Sequence, residues 1–240
     1  MLFRSENSFF RHKEQIFDGL RMQIELLIAR GDVDFKKMGE TGELFKKAYP
    51  AQTPATAVTA LNNFDSVDVE SVYYDCKNYT ANLFRFEDKI FFRSIFLFDE
   101  RIKDLYLEDT CTTFDAIYEN LPIVDTVKLP VDGRNRFGLE IDGHGLPFAT
   151  EKLDSGVLRV RFGEGSATFY EDRIEIIAHR LIWHKGATTA RISLDPSGLN
   201  FEYKGSSYRT DIVGAEAKEE SESIVFRANG EKITLFPKKK

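Results

Sequence analysis

Sulfur and imidazole are scarce in this chain: 240 residues hold 2 cysteines, 4 histidines and 1 tryptophan. Cys76 and Cys111 lie far apart with no Cys-x-x-Cys spacing. Neither a disulfide framework nor a zinc knuckle is therefore expected, and structural thiols in a reducing compartment fit best. The four histidines, His12, His144, His179 and His184, form no His-Glu-x-x-His. His179 and His184 are separated by an odd interval, which on a regular strand sends them to opposite faces. Asp32-Val33-Asp34 opens like a calcium loop, but Lys36 and Lys37 follow where ligands and glycine belong. No metal and no cofactor is expected. Gly143-His144-Gly145 and Gly163-Glu164-Gly165 lack the third glycine of a dinucleotide loop, and no Gly-Lys-Ser/Thr loop or Gly-x-Ser-x-Gly elbow occurs. No apolar run reaches the roughly 18 residues of a membrane helix. The opening Met1-Leu2-Phe3-Arg4 is too short for a secretory core, so a cytoplasmic location is expected. Residues 64–121 carry 13 acidic against 6 basic side chains. That acidic middle repels phosphate and argues against nucleic-acid binding.

Aromatic residues are abundant, with 21 Phe and 9 Tyr, and they suit the half-buried surface of strands. The stretch from Gly156 to Leu194 organises the rest. Val157 to Phe162 alternates apolar and charged residues, Gly163-Glu164-Gly165 turns it, and Ala167 to Tyr170 returns. A run from Ile174 to Trp183 reads as one strand, and Lys185-Gly186 as the next turn. Further strands are predicted at 66–74, 79–86, 90–98, 102–107, 123–129, 137–142, 199–204, 207–213, 223–228 and 231–236. Ile90 to Phe98 is apolar on both faces, so it belongs in the middle of a sheet. Asp195-Pro196-Ser197-Gly198 is a type I turn signal and Asn229-Gly230 a two-residue hairpin signal. Residues 216–222 read as a charged loop.

The front of the chain differs. Ser5 to Arg30 reads as an amphipathic helix closed by Gly31, with Phe17, Leu20, Ile24, Leu27 and Ile28 in one arc. Met22 and Leu26 fall outside that arc and mark a candidate contact with a protein partner or a second copy. Residues 32–49 suggest short helical turns broken at Gly39 and Gly42, residues 51–63 a short helix or linker, and residues 114–121 a helix stopped by Pro122.

The resulting fold class is α+β and mostly antiparallel β. It comprises an N-terminal helical region with a small four-stranded meander over 1–121, then a β-sandwich or barrel over 122–240. The two halves could also share one sheet. Two constellations carry possible chemistry. Glu140, Asp142 and His144 fall on one face of a strand, where acid–base work is possible; the same residues also suit a solvated strand face. Arg180, Trp183 and His184 surround a strand end, where a carbohydrate-like ligand could stack, although the single Trp of a β domain is more often core. The favoured function is a non-catalytic binding or interaction module. The alternatives are a hydrolase, lyase or isomerase acting on a carbohydrate-like substrate, and a structural subunit of a larger assembly.

Overall fold

A computed structural model describes residues 14–61, 68–99, 101–102, 106, 108–112, 120–126, 137–142 and 146–239. The chain divides into two compact units, one ending at Ala51 and the other running from Gln52 to the C-terminus.

The first unit holds two helices. α1 spans Glu14–Arg30; the expected start at Ser5 lies outside the described residues. Gly31 adopts φ +74° and its N–H reaches the Ile28 carbonyl at 3.2 Å, the left-handed stop predicted for it. α2 spans Met38–Ala48 and passes unbroken through Gly39 and Gly42, contrary to the expected interruptions. Both glycines sit near its start, where Glu40 accepts a hydrogen bond from the Lys37 N–H at 3.1 Å and offsets their poor propensity.

In the second unit every strand pairing among the described residues is antiparallel. One nine-stranded sheet runs β1 (Thr56–Ala60), β2 (Val69–Asp75), β3 (Tyr79–Phe86), β4 (Lys89–Leu97), β6 (Leu139–Ile141), β11 (Arg180–His184), β16 (Ser223–Ala228), β15 (Ala215–Glu219), with β5 (Leu121–Asp125) also on β4. The eight-stranded sheet runs β12 (Arg191–Asp195), β13 (Gly198–Tyr203), β14 (Ser206–Val213), β17 (Ile233–Lys239), β10 (Ile174–Ile177), β9 (Gly165–Phe169), β8 (Val157–Phe162), β7 (Ala149–Asp154). β4 is central, as its two apolar faces require: β3 takes one edge, while β6 and β5 share the other. Strands from both sides of residue 122 therefore pair within one sheet.

The two sheets share a single core. Tyr74 of β2 stacks on Phe169 of β9 at 5.2 Å, and Trp183 of β11 meets Phe201 of β13 at 5.7 Å. Buried tyrosines satisfy their hydroxyls across this core: Tyr79 donates to the Tyr170 carbonyl and Tyr208 to the Pro122 carbonyl, each at 2.6 Å.

Several local expectations change. β1 joins the front meander from the segment read as a short helix or linker; of residues 102–107 only Ile102 and Tyr106 are described, and neither is in a strand. The segment 113–119 lies outside the described residues, and Pro122 sits within β5 instead of ending a helix. β7 and β15 form where no strand was expected, because both are polar, exposed edge strands without apolar alternation. The run Ile174–Trp183 is two strands in different sheets, broken at Ala178-His179. Asn229-Gly230 likewise carries the chain from β16 in one sheet to β17 in the other, so it is a crossing and not a hairpin. The Asn229 N–H binds the Gly214 carbonyl at 2.9 Å, tying this crossing to the one between β14 and β15.

Candidate functional site

Sheet pairing decides which of the named polar residues meet. β6 lies between β4 and β11, with Glu140 opposite both Phe91 and Ile182. Leu139, Ile141, Leu181 and Trp183 turn into the core, so Glu140, Arg180, Ile182 and His184 take the other face. Glu140 and His184 came from separate constellations in the sequence, yet His184 Nε2 lies 3.3 Å from Glu140 Oε2. Lys89, which no sequence signal singled out, donates to Glu140 Oε1 at 2.6 Å. Glu140 is buried, yet the hydrogen bonds from His184 and then Lys89 hold its carboxyl below the usual carboxylate range, and the bond to Glu140 raises Lys89 in turn. A carboxylate kept ionised by two nitrogen donors is a poor general acid.

Asp142 continues from β6 and pairs with Arg180 Nε at 3.0 Å. His144 lies outside the described residues. Trp183 is 1 % exposed and packed against Phe201, so its ring is not open for stacking. Of the ligand-binding trio, Arg180 and His184 are partly exposed and engaged by carboxylates, and Trp183 is core.

A separate cleft of about 660 Å³ opens where the chain switches sheets. Leu146, Phe162 and Ile177 give it an apolar floor, and Asp142, His179 and Glu231 stand around it. Such a lining favours a partly apolar, cationic guest over an anion. Among the described residues no cluster of three or more His, Cys, Asp or Glu is arranged to hold a metal.

The largest feature without an internal explanation lies in the helical unit. None of residues 17–51 is buried. Met22 and Leu26, off the main arc, are each 67 % exposed. Phe17, Ile24 and Ile28, which belong to the arc, are exposed as well. α2 adds Met38, Leu44 and Phe45. Of 16 exposed large hydrophobic side chains among the described residues, 10 lie in this unit. The apolar face of α2 escaped sequence reasoning because Gly39 and Gly42 mask its periodicity. The pairing of Phe45 with Tyr49, 4.9 Å apart at helical spacing, is the signal that was available. No described helix is long and apolar enough to cross a membrane.

No family model, curated protein or solved structure matches this chain.

Proposed function

We propose that this protein is a non-catalytic interaction module: a β scaffold whose N-terminal helical unit docks onto another protein surface, a second copy serving in the purified protein. One observation carries this reading, the absence of any buried side chain from residue 17 to 51 in a unit rich in exposed Phe, Met, Ile and Leu. Helices of this length are marginal alone and owe their stability to packing of an apolar face. A surface of this kind supports association with protein. The state of Glu140 supports this reading over acid–base catalysis on a carbohydrate-like substrate, because its proton site is occupied by Lys89 and His184 as partners. The chain's two cysteines, Cys76 buried and Cys111 exposed, are in no disulfide, which supports a reducing, cytoplasmic setting.

Size-exclusion chromatography with light scattering tests the proposal. The wild type is expected to exceed monomer mass as concentration rises, while Met22→Glu/Leu26→Glu stays monomeric with an unchanged β signal in circular dichroism. A wild type that is monomeric throughout, with the double variant indistinguishable from it, contradicts the proposal.

A further inference from the structure

Four separate parts of the β unit assemble the cleft around Leu146 and Ile177. Asp142 follows β6, and Phe162 to Gly165 make the turn from β8 to β9. Ile177 to His179 lead from β10 to β11, and Gly230-Glu231 from β16 to β17. The last two connections pass from one sheet to the other. The volume of about 660 Å³ falls within the range of about 300–1,000 Å³ that small-molecule sites occupy.

Two features of the lining are unused by the fold. The first is apolar. Leu146 is 52 % and Ile177 46 % exposed, two of only six large hydrophobic side chains exposed in the β unit among the described residues. Gly163 keeps the cleft open beside them: its φ of +64° disfavours any other residue, and a Cβ there would lie 3.0 Å from Leu146 Cδ1. The second feature is charge. Glu164 and Glu231 are exposed, and their carboxylates have no hydrogen bond or ion pair among the described residues. The cations next to the lining in sequence do not answer them. Arg180 pairs with Asp142 at 3.0 Å and Lys232 with Glu175 at 3.1 Å, while Arg161 takes the face of β8 opposite the core-facing Phe162. His179 is exposed and likewise without a partner.

We propose that this cleft binds a small amphipathic ammonium ion, with its hydrocarbon on Leu146 and Ile177 and its charged nitrogen toward Glu164 and Glu231. Floor and rim together select that chemistry. A neutral apolar guest gains nothing from the carboxylates, an anion is repelled by both, and an inorganic cation leaves the apolar floor uncovered. The net charge of −6 adds a longer-range attraction for cations. The ammonium group has two sources, a free amine or the lysine side chain of a protein, and both present the same chemistry to the cleft. Ion pairs with exposed carboxylates are individually weak, so affinity for a small amine is expected to be roughly millimolar. The cleft lies wholly in the β unit and stands whether or not the helices dock.

An NMR titration of the full chain tests this, at low ionic strength and about pH 8, where carboxylates are ionised, imidazole is neutral and amines are protonated. 2-Phenylethylammonium is expected to shift the Gly163, Gly165 and Gly230 amides saturably. It should bind at least about tenfold tighter than 3-phenylpropionate, which carries the same ring and the opposite charge. Glu164→Gln/Glu231→Gln should weaken the amine about fivefold and erase its advantage over phenylpropionate. Ile177→Lys, which tethers an ammonium at an exposed position, should abolish binding with an unchanged circular dichroism spectrum. N-Acetyl-lysine methylamide, titrated alongside, separates the two sources. Tighter binding than the free amine assigns the cleft to a protein's lysine, weaker binding assigns it to a small amine, and either order supports the cation site. Equal affinity for phenylpropionate, shifts that never saturate, or binding unchanged in both variants overturns the proposal. The readout amides lie in the β unit, apart from α1 and α2.

Discussion

The two units of this chain draw on the same apolar residues and use them differently. In the β unit, strands bury Phe92, Phe169, Trp183 and Phe226 nearly completely, each sheet serving as the other's cover. In the helical unit no residue from 17 to 51 is buried, and Phe17, Met22, Leu26 and Phe45 are exposed. Periodicity therefore specifies which side of an element is apolar; what covers that side is decided by packing elsewhere, in the same molecule or in another.

That contrast is sharpest at the core. Phe169→Ala removes a ring that touches both Tyr74 and Phe92 of the facing sheet, and should cost about 3–5 kcal/mol in denaturant unfolding. Leu26→Ala in α1 should change the stability of the β unit by less than about 0.5 kcal/mol. Similar losses at both positions would erase the distinction.

A backbone test of the β unit comes next. Gly138 enters β6 at φ +51°, and a Cβ there would lie 2.3 Å from the Phe92 carbonyl oxygen and 2.8 Å from Val124 Cγ1. Gly138→Ala should destabilise by about 2–3 kcal/mol. Gly39→Ala in α2, where nothing lies within 4 Å, should raise helix content.

A smaller effect tests whether Glu140 is structural. Its folded carboxyl lies below its unfolded value of about 4.3. The stability it contributes is thus complete above that value and lost as pH falls through the lower folded one. Glu140→Gln should cost about 1–2 kcal/mol at pH 7, discounted for the partial exposure of Lys89. The difference from wild type should close when chemical unfolding is repeated near pH 3. A gap that widens on acidification would show that Glu140 is protonated in the folded protein and free for acid–base work.

Much of the β unit is legible in the sequence where local chemistry decides. Tyr79–Phe86 matches β3 end to end, because its apolar residues and the polar turns around it agree. The Gly163-Glu164 turn joins β8 to β9 as read, with Phe162 opposite Gly165. What escaped was non-local. Nothing between Ile174 and Trp183 marks a break; Ala178 and His179 turn only because β10 and β11 serve different sheets. Asn229-Gly230 has the chemistry of a tight hairpin and performs a crossing. The Glu140–His184 contact depends on the register of β6 against β11, which no spacing within either strand reveals. The helical arc did not separate exposed from covered residues either: Phe17, Ile24 and Ile28 on it are exposed, as are Met22 and Leu26 off it.

Hydrogen exchange of the α1 amides as a function of protein concentration tests the central claim most directly. Helical docking predicts that amides from Gly19 to Ile28 are protected at high concentration and exchange freely on dilution, while β3 and β4 stay protected throughout. Protection of α1 that is the same at every concentration would mean that the helix needs no second surface, and the account would fail.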